Sequence, residues 1–141
     1  MSLMIRPAGF DDVAALQRLF VELGYPPKGR DLATRLQETV PGREVLVAQV
    51  EGTVVGVLVW QLQSPLHVDE RWGRVSALVV SDTVRSQGVG AALLAAAEQQ
   101  ARAAGCVQLE LSSGERRVDA HRFYAREGYE ERRKRLVKRW E

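Results

Sequence analysis

The order of hydrophobic periods along the chain predicts an α/β protein: one domain built on a mixed sheet with flanking helices. Three observations carry this. A length of 141 residues suits one domain around one hydrophobic core. Two helical periods lead, two β-rich runs follow, and then helix, strand and helix alternate with short apolar strands. No internal repeat or linker interrupts that order.

Composition narrows the class further. With 45% hydrophobic and 27% charged residues, the chain is unlike disordered, collagen-like or low-complexity sequences. Cys106 is the only cysteine, which leaves no intrachain disulfide framework and no cysteine-based zinc knuckle. No metal site is expected. The apolar stretches 54–60 and 91–97 fall well short of the roughly 20 residues that span a bilayer. No basic-then-apolar leader opens the chain. A cytoplasmic setting without membrane contact is therefore expected. The net charge of +2 is uneven: residues 1–114 hold 10 basic and 12 acidic side chains, and residues 115–141 hold 10 basic and 6 acidic. Aromatic residues are sparse among those cations, so a solvated or anion-tuning face is expected rather than nucleic-acid binding.

The elements follow in order. Met1-Ser2-Leu3 precedes Met4 in the manner of a cloning addition, so the domain is expected over 4–141. Asp11 suits the N-cap of a helix with Val13, Leu16, Phe20 and Leu23 at helical spacing. Gly24-Tyr25-Pro26-Pro27 stops it. Leu32, Leu36 and Val40 predict a second, short helix closed by Pro41-Gly42. Runs 44–50 and 53–62 read as a hairpin turned at Glu51-Gly52. Run 75–80 is almost wholly apolar, as a central strand covered on both faces would be. A helix is expected over 88–104, capped by Gly105. Val107, Leu109 and Leu111 alternate with Gln108, Glu110 and Ser112 and predict a strand with one apolar face. A last helix over 116–127 ends at Gly128, and a terminal hairpin is expected to finish near Trp140.

The stretch from Ala77 to Gly90 carries the most chemistry. Strand, loop, Gly88-Val89-Gly90 and long helix follow in turn. Such a junction gathers unpaired N–H groups and the positive end of a helix at one point, which suits a phosphate or pyrophosphate. A tight strand-to-helix turn is the plainer reading. A Walker A loop is excluded because Ala91-Ala92 follows Gly90 where Lys-Ser/Thr is needed. A dinucleotide fingerprint is excluded because Gly88 stands too far from Val80 and Leu93 takes the third glycine position.

Arg85-Ser86-Gln87-Gly88-Val89-Gly90 behind Leu78-Val79-Val80 resembles the Arg/Gln-x-x-Gly-x-Gly/Ala motif of the GNAT superfamily of N-acetyltransferases. Ala120-His121-Arg122-Phe123-Tyr124-Ala125-Arg126-Glu127-Gly128-Tyr129 is similar to that superfamily's A-x-x-F-Y-x-x-x-G-F/Y helix. The two motifs stand in family order, and the resemblance spans 4–140. It implies a mostly antiparallel sheet splayed between its fourth and fifth strands, with acetyl-CoA as co-substrate in the cleft. On that mapping Leu78, Val79 and Val80 meet the pantetheine arm, and Arg85, Ser86, Gln87, Gly88, Val89 and Gly90 cradle the pyrophosphate. Ser113 and Tyr124 complete the donor site, with Tyr124 as the general acid that protonates the departing sulfur.

Acetyl transfer to an amine also needs the amine neutral, and a lysine-like amine of pKa about 10.4 is neutral in only about one molecule in 10³ at pH 7. Many relatives carry a Glu on the fourth strand, whereas Arg74-Val75-Ser76-Ala77 holds no carboxylate. Glu110, on the polar side of the next strand, is the substitute base, with Glu22 second and a water path as competitor. Glu22, Tyr25, Trp60 and Arg117 are expected to line the acceptor site. Arg116, Arg117, Arg122 and Arg126 place cations on the helix of Tyr124, where they could attract an anion. His67 and His121 read as non-catalytic, and Cys106 as a small buried hydrophobe. The expected activity is transfer from acetyl-CoA to the primary amine of a small molecule. Protein or peptide acetylation and an acyl-CoA-binding module with little catalysis are the alternatives. Dimers are common in the superfamily, and the C-terminal strands could mediate a homodimer here.

Overall fold

The computed structural model describes residues 2–25, 31–85, 87–112, 118–132 and 136–140. Among the described residues five strands lie side by side in chain order: β1 (Leu3–Pro7), β2 (Arg43–Val50), β3 (Thr53–Gln63), β4 (Arg71–Val80) and β5 (Cys106–Leu111). The first three neighbouring pairs are antiparallel and β4–β5 is parallel. A parallel pair needs a long crossover, and α3 (Val89–Ala103) supplies it. The expected mixed α/β architecture is the one observed.

Alternation along the strands divides the core into two layers. Leu46, Ala48, Leu58, Trp60 and Val75 face α3, packing with its Val89, Leu93, Leu94, Ala97 and Ala101. Val47, Val57 and Val79 face the other way, against Leu16 and Leu19 of α1 (Val13–Leu23). Leu32 and Leu36 of α2 (Leu32–Gln37) extend that second layer. Phe123 and Tyr124 of α4 (Val118–Arg126) join the α3 layer. At the β2–β3 turn both Glu51 (φ 49°) and Gly52 (φ 82°) are left-handed, the geometry that matches the twist of a tight hairpin.

Several expectations change. β1 begins at Leu3, inside the segment set aside as a cloning addition, and Leu3 pairs with Val50. A 3-10 turn, Phe10–Asp12, precedes α1, so Asp12 rather than Asp11 stands at the α1 cap position, and its carboxylate turns back to the start of the 3-10 turn instead of capping α1. The Asp12 carboxylate accepts the Gly9 N–H at 2.7 Å and a two-pronged bond from Arg6 at 2.8 and 2.9 Å. Those bonds with Arg6 hold the carboxyl below its ordinary value although burial opposes them. β4 starts four residues before the apolar run because Trp72, Gly73 and Arg74 pair with both neighbours and Arg71 pairs with β5. Val107 is 61% exposed rather than core, since Arg71 pairs with Cys106 and Trp72 with Gln108, leaving Val107 as the extra residue of a bulge. The terminal hairpin is absent among the described residues: 129–132 and 136–140 form no strand, and Leu136 and Trp140 lie exposed. Among the described residues no helix is long and apolar enough to cross a membrane.

Candidate active site

β4 and β5 part company halfway along. Their pairing ends at Val75 with Leu111, so among the described residues the segment 76–80 keeps β3 as its one strand partner. The Ser81 N–H donates to the Val55 carbonyl at 2.7 Å, which fixes the direction of the backbone at that end of β4. Two-residue alternation turns the amides of Val79 and Ala77 the same way, toward β3. The N–H and C=O of Leu78 and Val80 therefore face the opening. Unpaired backbone groups in mid-sheet are costly unless water or a ligand meets them. Between Val59 and Trp60 the β3–β4 register also shifts, from Ala77 to Val75, so Ser76 is an extra residue. The bulge marks where the strand leaves its parallel partner.

The opening leads to the start of α3. Gly88 caps that helix at φ +81°, and a Cβ on it would meet nothing within 4 Å. Backbone conformation, not crowding, calls for glycine there, and space lies in front of it. The first bond of α3 runs from Ala92 N–H to Gly88 O at 3.0 Å, so the N–H groups of Val89, Gly90 and Ala91 have no intrahelical acceptor. Gly90 faces the neighbouring elements: a Cβ there would stand at ordinary contact distance, 3.4 Å from Phe123 Cζ and 3.7 Å from Val80 Cγ2. α4 thus rests on the start of α3 and the end of β4. Arg85 pairs with Asp82 at 2.7 Å on the loop between them, and Glu22 accepts the Asp82 N–H at 3.3 Å, tying the last turn of α1 to it.

Tyr124 is half-buried, its ring centroid 5.2 Å from Phe123 and 6.1 Å from Tyr129. Tyr129 locks this helix end to α3. Its hydroxyl donates to Glu98 at 2.7 Å, and its N–H donates to the Tyr124 carbonyl at 2.9 Å. Burial, reinforced by Glu98, pushes the Tyr129 phenol up, so it remains a donor at neutral pH. Arg126 lies over the Phe123 ring and Arg122 approaches Asp119, so these two cations are engaged on their own helix.

Leu78, Val80, Gly88, Val89 and Gly90 accordingly collect around the end of β4 and the start of α3, with Gln87 next to Gly88 on the loop, while Tyr124 packs on α4 beside Phe123, the residue that reaches Gly90. Arg85 and Glu22 stand at the loop beside them. Val79 differs from its neighbours: its side chain is buried under α1 and its backbone is turned to β3. Trp60 is corrected more sharply. It is 3% exposed beneath α3 and its indole N–H donates to Gln100 at 2.8 Å, so it is a core residue with no surface for an acceptor. Tyr25 follows α1 and is exposed. Ser86, Ser113, Arg116 and Arg117 lie outside the described residues.

Glu110 stands opposite Arg74 in the β4–β5 register, one rung before the strands separate. The guanidinium donates to Glu110 at 3.2 Å and to Ser112 Oγ at 2.9 Å. Arg74 carries no signal of its own in the sequence, where Arg74-Val75-Ser76-Ala77 stands out only for its lack of a carboxylate. Only the register of two strands that are distant in sequence reveals the pair. His67 touches Trp72 edge-on and His121 is exposed. Burial pushes the Cys106 thiol up, which suits its reading as an unreactive side chain. Among the described residues no group of three His, Cys, Asp or Glu side chains is placed to hold a metal. Two cavities of about 410 and 400 Å³ lie away from the opening, one beside Phe10 and α2 and one under the end of α3.

Comparison with known proteins agrees with this geometry. The pattern of the Acetyltransferase (GNAT) family matches residues 11–129. The aminoalkylphosphonate N-acetyltransferase of Salmonella typhimurium is 39% identical over 130 residues, covering 91% of this chain and 83% of that protein. A solved aminoglycoside acetyltransferase from an uncultured soil sample superposes with a TM-score of 0.84 at 20% identity, over 99% of this chain and 97% of that one. A ribosomal-protein-alanine N-acetyltransferase from Brucella melitensis gives 0.83 at 19% identity, over 99% of this chain and 100% of that one. The two solved structures share the fold, and the acceptors in their names differ widely.

Proposed function

Because the chain belongs to the acetyltransferase (GNAT) family and is an N-acetyltransferase, we propose that it moves an acetyl group from acetyl-CoA directly to the primary amine of a small molecule. The half of β4 without a parallel partner carries this reading. Leu78 and Val80 turn backbone donors and acceptors into the opening, and these fit the amides of a pantetheine arm. The N–H groups at the start of α3, with open space before Gly88, fit a pyrophosphate. Acetyl-CoA supplies the acyl group activated as a thioester.

The remaining work falls to side chains. Tyr124 holds a proton at its phenolic oxygen for the departing sulfur, on a helix that Tyr129 and Glu98 fasten against α3. Glu110 takes the proton of the amine, directly or through a water, from the rung before the last of the paired strands. Aminoalkylphosphonates are the first acceptors to try, since the Salmonella relative is named for them. The test is thiol release from acetyl-CoA across aminoalkylphosphonates, polyamines, aminoglycosides and a peptide amine. Turnover is expected with a small amine, and Tyr124→Phe should lower kcat by about 10²–10³-fold with CoA affinity nearly unchanged. Equal turnover in that variant would remove the acid role, and acetyl-CoA hydrolysis or silence across the panel would remove the transfer reading.

A further inference from the structure

We propose that Arg74 and Glu110 form an acceptor subsite for zwitterionic amines, the guanidinium taking the anionic group and the carboxylate taking the ammonium. This deepens the transfer reading above and rests on it. Placement is the first argument. Val75, Leu109 and Leu111 pack in the α3 layer, so Arg74 and Glu110, their chain neighbours, belong to the opposite face. Tyr124 approaches from the α3 layer. The opening between β4 and β5 begins one rung past the pair and joins the two faces. An acceptor held by Arg74 and Glu110 therefore meets the donor from the side opposite Tyr124.

Chemistry is the second argument. The side chains are 30% and 40% exposed, open enough to exchange partners with a ligand. Arg74 spends one terminal N–H on Glu110 and one on Ser112, and has no other partner among the described residues. Its planar fork retains donors that match a phosphonate or carboxylate. An exposed ion pair of this kind is weak and easily opened. A ligand carrying both charges replaces it by two new pairs, Arg74 with the anion and Glu110 with the ammonium, and strands neither charge. A plain alkylamine satisfies Glu110 and leaves Arg74 without its carboxylate. The subsite thus selects amines that bear an anionic group a few bonds away. It also brings the reacting nitrogen to the carboxylate assigned to deprotonate it.

The experiment uses the full chain with 2-aminoethylphosphonate and propylamine, read by thiol release and by calorimetric binding in the presence of CoA. The wild type is expected to prefer the phosphonate. Arg74→Gln should lower kcat/KM for the phosphonate about 10–100-fold, chiefly through KM, the loss expected for a hydrogen-bonded charge pair. Propylamine should change less than about threefold, and Arg74→Lys should recover part of the phosphonate activity by keeping the charge without the fork. Parallel losses for both acceptors would make Arg74 a merely structural residue and overturn the subsite, as would a wild type that prefers propylamine. Should Arg74→Gln fail to fold, that wild-type preference and Arg74→Lys still decide. Amine turnover with no phosphonate preference sinks the subsite and leaves the transfer reading standing. Phosphonate binding that depends on Arg74, without acetylation of any amine, supports the subsite and sinks the transfer reading.

Discussion

The two halves of β4 share one strand and do different work. Residues 72–75 lie between β3 and β5 and pair with a strand on both edges. Residues 76–80 have β3 on one edge and an opening on the other. The first half is ordinary sheet, whose side chains decide what it does: Gly73 makes room for Trp60 and Leu109, and Arg74 reaches Glu110. The second half presents main chain, and its apolar side chains only anchor it to α1 and α3. The contrast separates two kinds of recognition. A donor met by backbone amides can be shared by a whole family, because those amides tolerate side-chain change. An acceptor met by side chains is free to differ between members that share a fold.

If that division is right, changes on the closed side should cost stability and spare donor binding. Asp12→Ala, at the start of α1 and away from the opening, is the largest such change, because it removes the two-pronged bond to Arg6 and leaves the Gly9 N–H unmet at a buried position. It should cost about 2–3 kcal/mol in denaturant unfolding and leave acetyl-CoA affinity unchanged. The Asp12 carboxyl is held below its unfolded value, so its contribution is complete above about pH 4 and lost as pH falls through the folded value. Wild type should therefore lose stability more steeply than Asp12→Ala below pH 4. Equal slopes would assign the acid sensitivity elsewhere.

A smaller and more pointed contrast compares one substitution on either side of the divide. A Cβ on Gly73 would stand 2.8 Å from Leu109 Cδ1 and 3.3 Å from the Trp60 ring. Gly73→Ala should cost about 1–2 kcal/mol of stability by overpacking, with acetyl-CoA affinity intact. Gly88→Ala meets no neighbour but must hold φ at +81°, at about 1 kcal/mol. That variant should also raise the acetyl-CoA Kd about tenfold, since the cradle geometry depends on this residue. A Gly73→Ala protein that binds acetyl-CoA more weakly than Gly88→Ala would reverse the comparison.

The same division explains what the sequence disclosed. The donor side was legible because its parts are contiguous: a strand, a loop and a glycine-capped helix within residues 77–90. The helix of Tyr124 was legible for the same reason. β1 is not legible because the five residues Leu3–Pro7 carry too little pattern to stand as a strand, the first of them falls in the segment read as a cloning addition, and their pairing with β2 reaches about 40 residues away. Val107 was misplaced because strict alternation cannot foresee a bulge. Trp60 is expected in the acceptor site, whereas its partner is Gln100 on a helix that the chain reaches only later. Arg74 and Glu110 are joined by strand register alone, which no local motif encodes.

The most direct test follows amide hydrogen exchange along β4, by NMR, with and without saturating acetyl-CoA. In the free protein Ala77 and Val79, turned to β3, should exchange slowly, and Leu78 and Val80, turned to the opening, should exchange fast. Acetyl-CoA should slow Leu78 and Val80 by at least about tenfold and leave Ala77 and Val79 nearly unchanged. Protection of all four amides in the free protein, or no change at Leu78 and Val80 with acetyl-CoA bound, would contradict the assignment of this edge to the donor.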